Sequence, residues 1–236
     1  MSSQETTANR APESTAPDNM PLENTSFNMV RDDMQGFPLY ELPPGYQFRT
    51  YQPGDDVTWT RLNQAAEPFF EVKPELWQSQ FGGDVDALPG RMFFVTTGSG
   101  EVVGSITAWW EKERANPGER GRIHWVMVHP AHQGRGLSKP MMTRAMQRLA
   151  ESHPAAVLGT SSGRIWAVKV YLDFGFLPNA EEIAEKPEVL AAWQQVQQRL
   201  NHPALGAWLA ANAARPPKSA SPYTATGTWM QPRVGE

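Results

Sequence analysis

The chain has no cysteine among its 236 residues. That excludes a disulfide framework, a thiolate metal site and a cysteine nucleophile. No apolar run approaches the ~18 residues that a membrane-spanning helix needs. An excess of basic charge is missing too: 21 Lys and Arg stand against 25 Asp and Glu, and the formal net charge is −4. A general nucleic-acid binder needs a basic face to neutralise phosphates, so that class is disfavoured. The first residues, MSSQETTANRAPESTAPDNM, have neither the apolar core of a secretory signal nor the basic amphipathic pattern of a transit peptide. The expectation is a soluble cytoplasmic protein with no nucleic-acid or membrane partner. What is present can build a core: hydrophobic residues make up 40% of the chain and include nine Trp, which suits one domain with extras.

Three regions are expected. Residues 1–35 are polar and rich in Pro, Ser, Thr and Glu, and read as a disordered tail. Residues 36–180 read as the main folded domain, and 181–236 as a helical extension with a flexible end. Within the domain YQFRTYQ alternates as a strand, and GDDVTWTRLNQAAEPF and KPELWQSQFGG read as helices. RMFFVTT and EVVGSITAWW form a hairpin around GSG, and RIHWVMV is a further strand. LSKPMMTRAMQRLAE is a helix with Leu137, Met141, Ala145 and Leu149 on one face. AAVLGTS is a short buried strand, and RIWAVKVYLDF is a helix closed by Gly175. KPEVLAAWQQVQQRL and PALGAWLAANAA are amphipathic helices, and TATGTWM is a candidate edge strand. This order specifies a layered α/β (α+β) domain.

The stretch HPAHQGRGLSKP, His129 to Pro140, joins a strand to a helix through two glycines. First-turn amides of a helix have no intrahelical partners and carry the positive end of the macrodipole, so they suit an anion. Pro140 fits only near the helix start, which places the bare amides near residues 134–139. A Walker loop is absent, and GRGLSK lacks the third glycine of a dinucleotide fingerprint. From the turn alone, a connection without a ligand stays open.

Two motifs narrow the choice. VHPAHQGRGLS follows the pattern V-x-P-x-x-[QR]-x-x-G-x-[GA] through Val128, Pro130, Gln133 and Gly136, with Ser138 at the last small position. About 30 residues on, AVKVYLDFGF carries Ala167, Tyr171, Gly175 and Phe176 in A-x-x-x-Y-x-x-x-G-F spacing. On these residues, over about 45–178, the chain resembles the GNAT superfamily of acyl-CoA-dependent N-acetyltransferases. The resemblance implies a mixed, mostly antiparallel central sheet with helices on both faces. It implies acetyl-CoA as co-substrate, held where the fourth and fifth strands of the family part. Backbone groups at Val126, Met127 and Val128 would pair with the pantetheine arm. The amides of Gln133, Gly134, Arg135, Gly136, Leu137 and Ser138 would receive the pyrophosphate, with Arg135 and Lys139 adding charge. Arg164 stands where the family usually has Asn, and is a candidate for a phosphate or the pantetheine chain.

The implied reaction is acetyl transfer to a primary amine of a small molecule or a protein. With no cysteine to carry the acyl group, attack would be direct, in a ternary complex. A free amine with a pKa of about 10.4 is protonated at pH 7, and uncharging it costs roughly 4–5 kcal/mol. Something must take that proton. Neither RIHWVMV nor VLGTSS offers the carboxylate many family members use, which leaves His124 as the candidate base. By strand alternation it shares a face with Val126 and Val128. Tyr171 is the candidate acid for the departing thiolate, as in related enzymes. Glu67, Phe70 and Trp110 are the acceptor-side candidates, with Phe69, Glu71, Trp109 and Trp125 nearby in type. His129 and His132, three apart with no carboxylate, are poor metal ligands, and no metal is expected. A homodimer through the C-terminal helices, with Trp193 and Trp208, is an expectation that simple packing would equally meet. The missing carboxylate keeps one other class open, a non-catalytic acyl-CoA-binding sensor or partner module of the same fold.

Overall fold

The computed structural model describes residues 24–112 and 118–212. The strands are β1 (Ser26–Arg31), β2 (Tyr46–Thr50), β3 (Met92–Thr97), β4 (Val102–Trp110), β5 (Gly121–Val128), β6 (Ala156–Ser161) and β7 (Leu177–Pro178). The helices are α1 (Asp55–Ala66), α2 (Glu75–Phe81), α3 (Ser138–Ala150), α4 (Ile165–Asp173), α5 (Ala180–Glu185), α6 (Pro187–Leu200) and α7 (Pro203–Asn212). The strands form one sheet in the order β2-β3-β4-β5-β6-β1-β7. Every neighbouring pair is antiparallel except β5–β6. Among the described residues no helix is long and apolar enough to cross a membrane.

Alternation along β3 divides the core into two layers. Met92 and Phe94 join Trp59 of α1 and Trp77 and Phe81 of α2. Phe93 and Val95 join Met141, Met142 and Ala145 of α3. Helices therefore cover both faces of the sheet. Helix α3 forms where it does because its apolar residues recur each turn: Met141, Met142, Ala145, Met146 and Leu149 are all 0% exposed. Burying each Met or Leu contributes about 1.5–3 kcal/mol. Pro140 is the third residue of this helix, where its missing N–H leaves no bond unmade.

The N-terminal region corrects the expected tail of residues 1–35. Residues 26–31 are a strand seated between β6 and β7 and antiparallel to both. Phe27 and Met29 are buried in the α3-side core. The polar composition of the first 35 residues conceals a short alternation, SFNMVR, whose order comes from pairing along both edges together with the burial of Phe27 and Met29. Residues 1–23 and the candidate strand TATGTWM lie outside the described residues. Helices α6 and α7 add Val189, Ala192, Trp193, Val196 and Leu205 to the α3-side core, and the Trp193 ring lies 4.0 Å from that of Phe27.

Candidate active site

Strands β5 and β6 are paired only at Gly121–Ala156 and Arg122–Val157. Beyond those two pairs they part, and β5 from His124 to Val128 is held by β4 alone. The β4–β5 register shifts between Ser105 and Thr107, opposite Trp125, which has φ 49°. An extra residue in one strand bends it and sharpens its twist.

The bulge also corrects the expected strand faces. His124 does not share a face with Val126 and Val128. Its ring lies 5.7 Å from that of Phe81 on α2, and Met127 joins the α1–α2 core, whereas Val126 and Val128 pack on the α3 side. Inserting Trp125 interrupts the period of two, which a linear reading carries straight through.

His124 is 6% exposed. Its Nε2 lies 3.0 Å from Gln80 Oε1, which also accepts from Trp125 Nε1 at 3.0 Å. An indole N–H can only donate, so the Gln80 atom is the amide oxygen and His124 Nε2 carries the proton. The imidazole lone pair is then on Nδ1. Burial, helped by the nearby Arg122 cation, holds the His124 pKa well below its ordinary 6.5. The candidate base is therefore a ring that is neutral at pH 7 and a weaker base than a solvated histidine.

At the end of β5 the chain enters the glycine-rich turn. Gly134 and Gly136 have φ 72° and 78°, and a Cβ on either would meet no atom closer than 4.0 Å. The glycines are there for a backbone conformation other residues resist, not for lack of room. Gln133 Nε2 donates to Val128 O at 3.1 Å, closing the turn on the strand end. Leu137 is 2% exposed and anchors the turn in the core. Arg135 Nη1 donates to Tyr46 Oη at 3.4 Å, and Tyr46 Oη lies 3.0 Å from His132 Nδ1. Lys139, expected beside a phosphate, places its Nζ 3.1 Å from Asp173 Oδ2 and 5.1 Å from the centre of the Tyr40 ring. The hydrogen bond to Asp173 raises its pKa.

Tyr171 is 7% exposed. Burial pushes its pKa up to about 12, and the Arg164 cation partly opposes that rise. The phenol is protonated at every working pH. Arg164 itself reaches the end of α1: Nη2 lies 2.7 Å from each oxygen of Glu67. Glu67, an acceptor-side candidate, has its carboxylate occupied by this guanidinium. Phe70 meets Trp125 edge-on with ring centres 6.3 Å apart. Trp110 is corrected as a site residue. It pairs with Gly121 at the closed end of β5, is 5% exposed and stacks on Trp109 at 3.9 Å. Its size and aromaticity serve the core.

Sequence reasoning missed Gln80 and Asp173. Both are polar residues on helices with nothing in their spacing to mark them. An open groove of about 640 Å³ between residues 39–42, β2 and α3 lies at the β2 edge, three strands from the parting, and holds none of the expected site residues. Among the described residues no group of three or more His, Asp or Glu is placed to hold a metal ion.

Strands that part beside a glycine turn opening a helix are the arrangement that the family resemblance implies. A model of the acetyltransferase (GNAT) family matches residues 59–176, from α1 to just past α4. The chain belongs to the GNAT family. Among its relatives is a mycothiol acetyltransferase of Streptomyces griseus subsp. griseus, 33% identical over 153 residues, which cover 62% of this chain and 48% of the relative. A mycothiol acetyltransferase of Streptomyces avermitilis is 31% identical over 169 residues, covering 69% of this chain and 53% of that one. This GNAT chain thus spans about half the length of the curated relatives it matches. Among solved structures it is similar in fold to a GCN5-related N-acetyltransferase from Sphaerobacter thermophilus, with a TM-score of 0.53, 22% identity, and coverage of 68% of this chain and 50% of that one. A GNAT-family acetyltransferase from Colwellia psychrerythraea gives a TM-score of 0.51 at 12% identity, covering 65% and 52% of the two chains.

Proposed function

We propose that this GNAT chain transfers an acetyl group from acetyl-CoA to a primary amine of a small molecule. The observation that carries the reading is the parting of β5 and β6 after two residue pairs, with the Gly134–Gly136 turn at its mouth. The residues fit an extended pantetheine chain ending in a pyrophosphate. Backbone groups of Val126, Met127 and Val128 line the open edge. The amides of Gln133 to Ser138 and the Arg135 guanidinium suit the two phosphates.

The amine nitrogen attacks the thioester carbonyl carbon, the carbon–sulfur bond breaks, and the amine proton and the sulfur lone pair must both be managed. Tyr171 donates a hydrogen bond to the departing sulfur. With its pKa near 12 it stabilises the thiolate as a donor available at every pH more than it transfers a proton outright. His124 acts as a neutral imidazole with its lone pair on Nδ1. Its lowered basicity makes it a transient acceptor, so the rate has no ionisation of this ring near pH 6.5. Phe70 and Trp125 form an aromatic wall that suits the apolar body of an amine. The relatives named for mycothiol favour a small-molecule acceptor over a protein amine.

A second reading is favoured by the same buried His124: a weakly basic ring and no strand carboxylate suit a module that binds acyl-CoA without turnover. One experiment separates the two. The protein is titrated calorimetrically with acetyl-CoA, ATP and NAD, and thiol release is followed with glucosamine, tyramine and lysine. Selective acetyl-CoA binding with thiol release supports the enzyme. Binding without release from any amine supports the binding module. Equal binding of ATP, or no binding, overturns both.

A further inference from the structure

We propose that Arg164 is a positioning residue of the acceptor site: with Glu67 it latches the α1–α2 loop to the β6–α4 turn, and it does not hold acetyl-CoA. The inference rests on the acetyltransferase reading above and assigns this residue to the opposite side of the reaction from the one its place in the motif implies.

The guanidinium is already engaged. Nη2 bonds both oxygens of Glu67 at 2.7 Å, and Nη1 donates to Ser161 Oγ at 2.6 Å. Its carbon lies 4.6 Å from the centre of the Phe69 ring. Glu67 in turn accepts from the Phe69 amide at 2.8 Å. One side chain thus joins the end of β6, the start of α4 and the first residues of the α1–α2 loop. The Glu67 side chain is only 8% exposed, so removing Arg164 would strand a carboxylate that has little water to turn to. Packing is close next door: a Cβ on Gly163 would come within 2.8 Å of Phe69 Cζ and 2.7 Å of Asn24 Oδ1, so those side chains would have to shift.

The latch matters because of what the loop carries. Phe70 follows Phe69 and meets Trp125, the bulge residue of β5. Tyr171 lies two turns further along α4, near enough for the Arg164 cation to act on its hydroxyl. Arg164 therefore sets the aromatic acceptor wall at a fixed place relative to the group that faces the leaving sulfur. Its remaining donors are few, and a phosphate would have to compete with a carboxylate whose two oxygens already accept from Nη2.

The test uses the full chain with Arg164→Gln, Glu67→Gln, the double variant and Arg164→Lys. Acetyl-CoA Kd is measured by calorimetry. KM and kcat are measured with acetyl-CoA and the fastest of glucosamine, tyramine and lysine. Expected is an amine KM raised by about 10-fold or more in either single variant, with no further rise in the double variant. Acetyl-CoA Kd stays within about 2-fold throughout, since a latch is not a ligand. Arg164→Lys does not restore the amine KM, because one ammonium nitrogen cannot stand in for the two guanidinium nitrogens that reach Glu67 and Ser161 separately. A large loss of acetyl-CoA affinity with unchanged amine KM would overturn the proposal, as would additive single effects or a fall in kcat alone. If the wild-type protein acetylates none of the amines, the enzyme reading fails while the latch is still judged. Faster hydrogen exchange at the Phe69 amide in Arg164→Gln with unchanged acetyl-CoA Kd upholds it, and unchanged exchange refutes it. Should Arg164→Gln not fold, Glu67→Gln carries the same comparisons.

Discussion

Gln80 Oε1 accepts a hydrogen bond from His124 Nε2 at 3.0 Å, and the direction of that bond is fixed because the same oxygen accepts from Trp125. A side chain on α2 thereby chooses the tautomer of a histidine on β5. The two residues are 44 positions apart in the chain, and the bulge at Trp125 brings both donors to one oxygen. Replacing Gln80 by Glu would put a carboxylate against the Nε2 proton and favour imidazolium. In the wild-type protein the His124 ring should show no titration between pH 6 and 8 by NMR. Gln80→Glu should bring its titration up toward or into that range. A wild-type midpoint near 6.5 would refute the buried, neutral ring.

Acid should weaken the fold through the same residue. The His124 pKa is lowered in the folded chain. Below about pH 6.5 the unfolded chain therefore binds a proton that the folded chain refuses. Stability falls as pH drops from 6.5 toward the lower folded value, and His153, also lowered mainly by burial, adds the same sign. His124→Gln should lose less Tm between pH 7.5 and 5.5 than the wild-type protein. An equal loss would mean that His124 contributes nothing to the acid response.

Tyr171→Phe keeps the buried ring and removes only the hydroxyl. Turnover should fall by about 10²-fold or more, the usual size for lost help to a leaving group. Acetyl-CoA affinity, read by calorimetry, should hardly change. Full turnover in the variant would take Tyr171 out of the mechanism.

Gly136 tests the turn. Its φ of 78° resists a β-branched side chain, yet a Cβ there would meet nothing closer than Pro43 Cγ at 4.0 Å. Gly136→Val should cost about 1–3 kcal/mol of backbone strain and still fold. Its acetyl-CoA affinity should fall by about 10-fold or more, because one lost 1.4 kcal/mol of binding is already tenfold. Unchanged affinity would show that this turn does not receive the cofactor phosphates.

Met29 tests the strand that the composition concealed. It is 0% exposed in the middle of β1. Met29→Ala should destabilise the chain by about 2–5 kcal/mol in a denaturant titration, as for other buried large-to-small changes. A change below about 0.5 kcal/mol, the size expected at a surface position, would place residue 29 outside the core.

Much of the fold and the glycine turn of the candidate site was legible because its signals are local. Helix α3 follows from apolar residues at each turn, and the turn before it from two glycines and a proline whose backbone limits hold in any surroundings. Strand β1 was not legible, since SFNMVR is too short to stand out from a polar stretch and is ordered by two partners elsewhere. Faces on β5 were misread because one inserted residue, Trp125, reverses the alternation. The role of Trp110 was misread because an aromatic residue looks the same at a site and in a core.

The sequence by itself determined the family, the glycine-rich turn and the position of Tyr171 in its motif, since each is carried by short motifs whose spacing is read along the chain. Only the tertiary structure decided which side chains those residues would meet. Arg164 finds Glu67 across 97 positions, and Thr25 finds Ser162 across 137. His124 owes its tautomer and its weak basicity to α2 and to burial. Charge pairing and desolvation depend on distance in space, and no spacing along the chain records it.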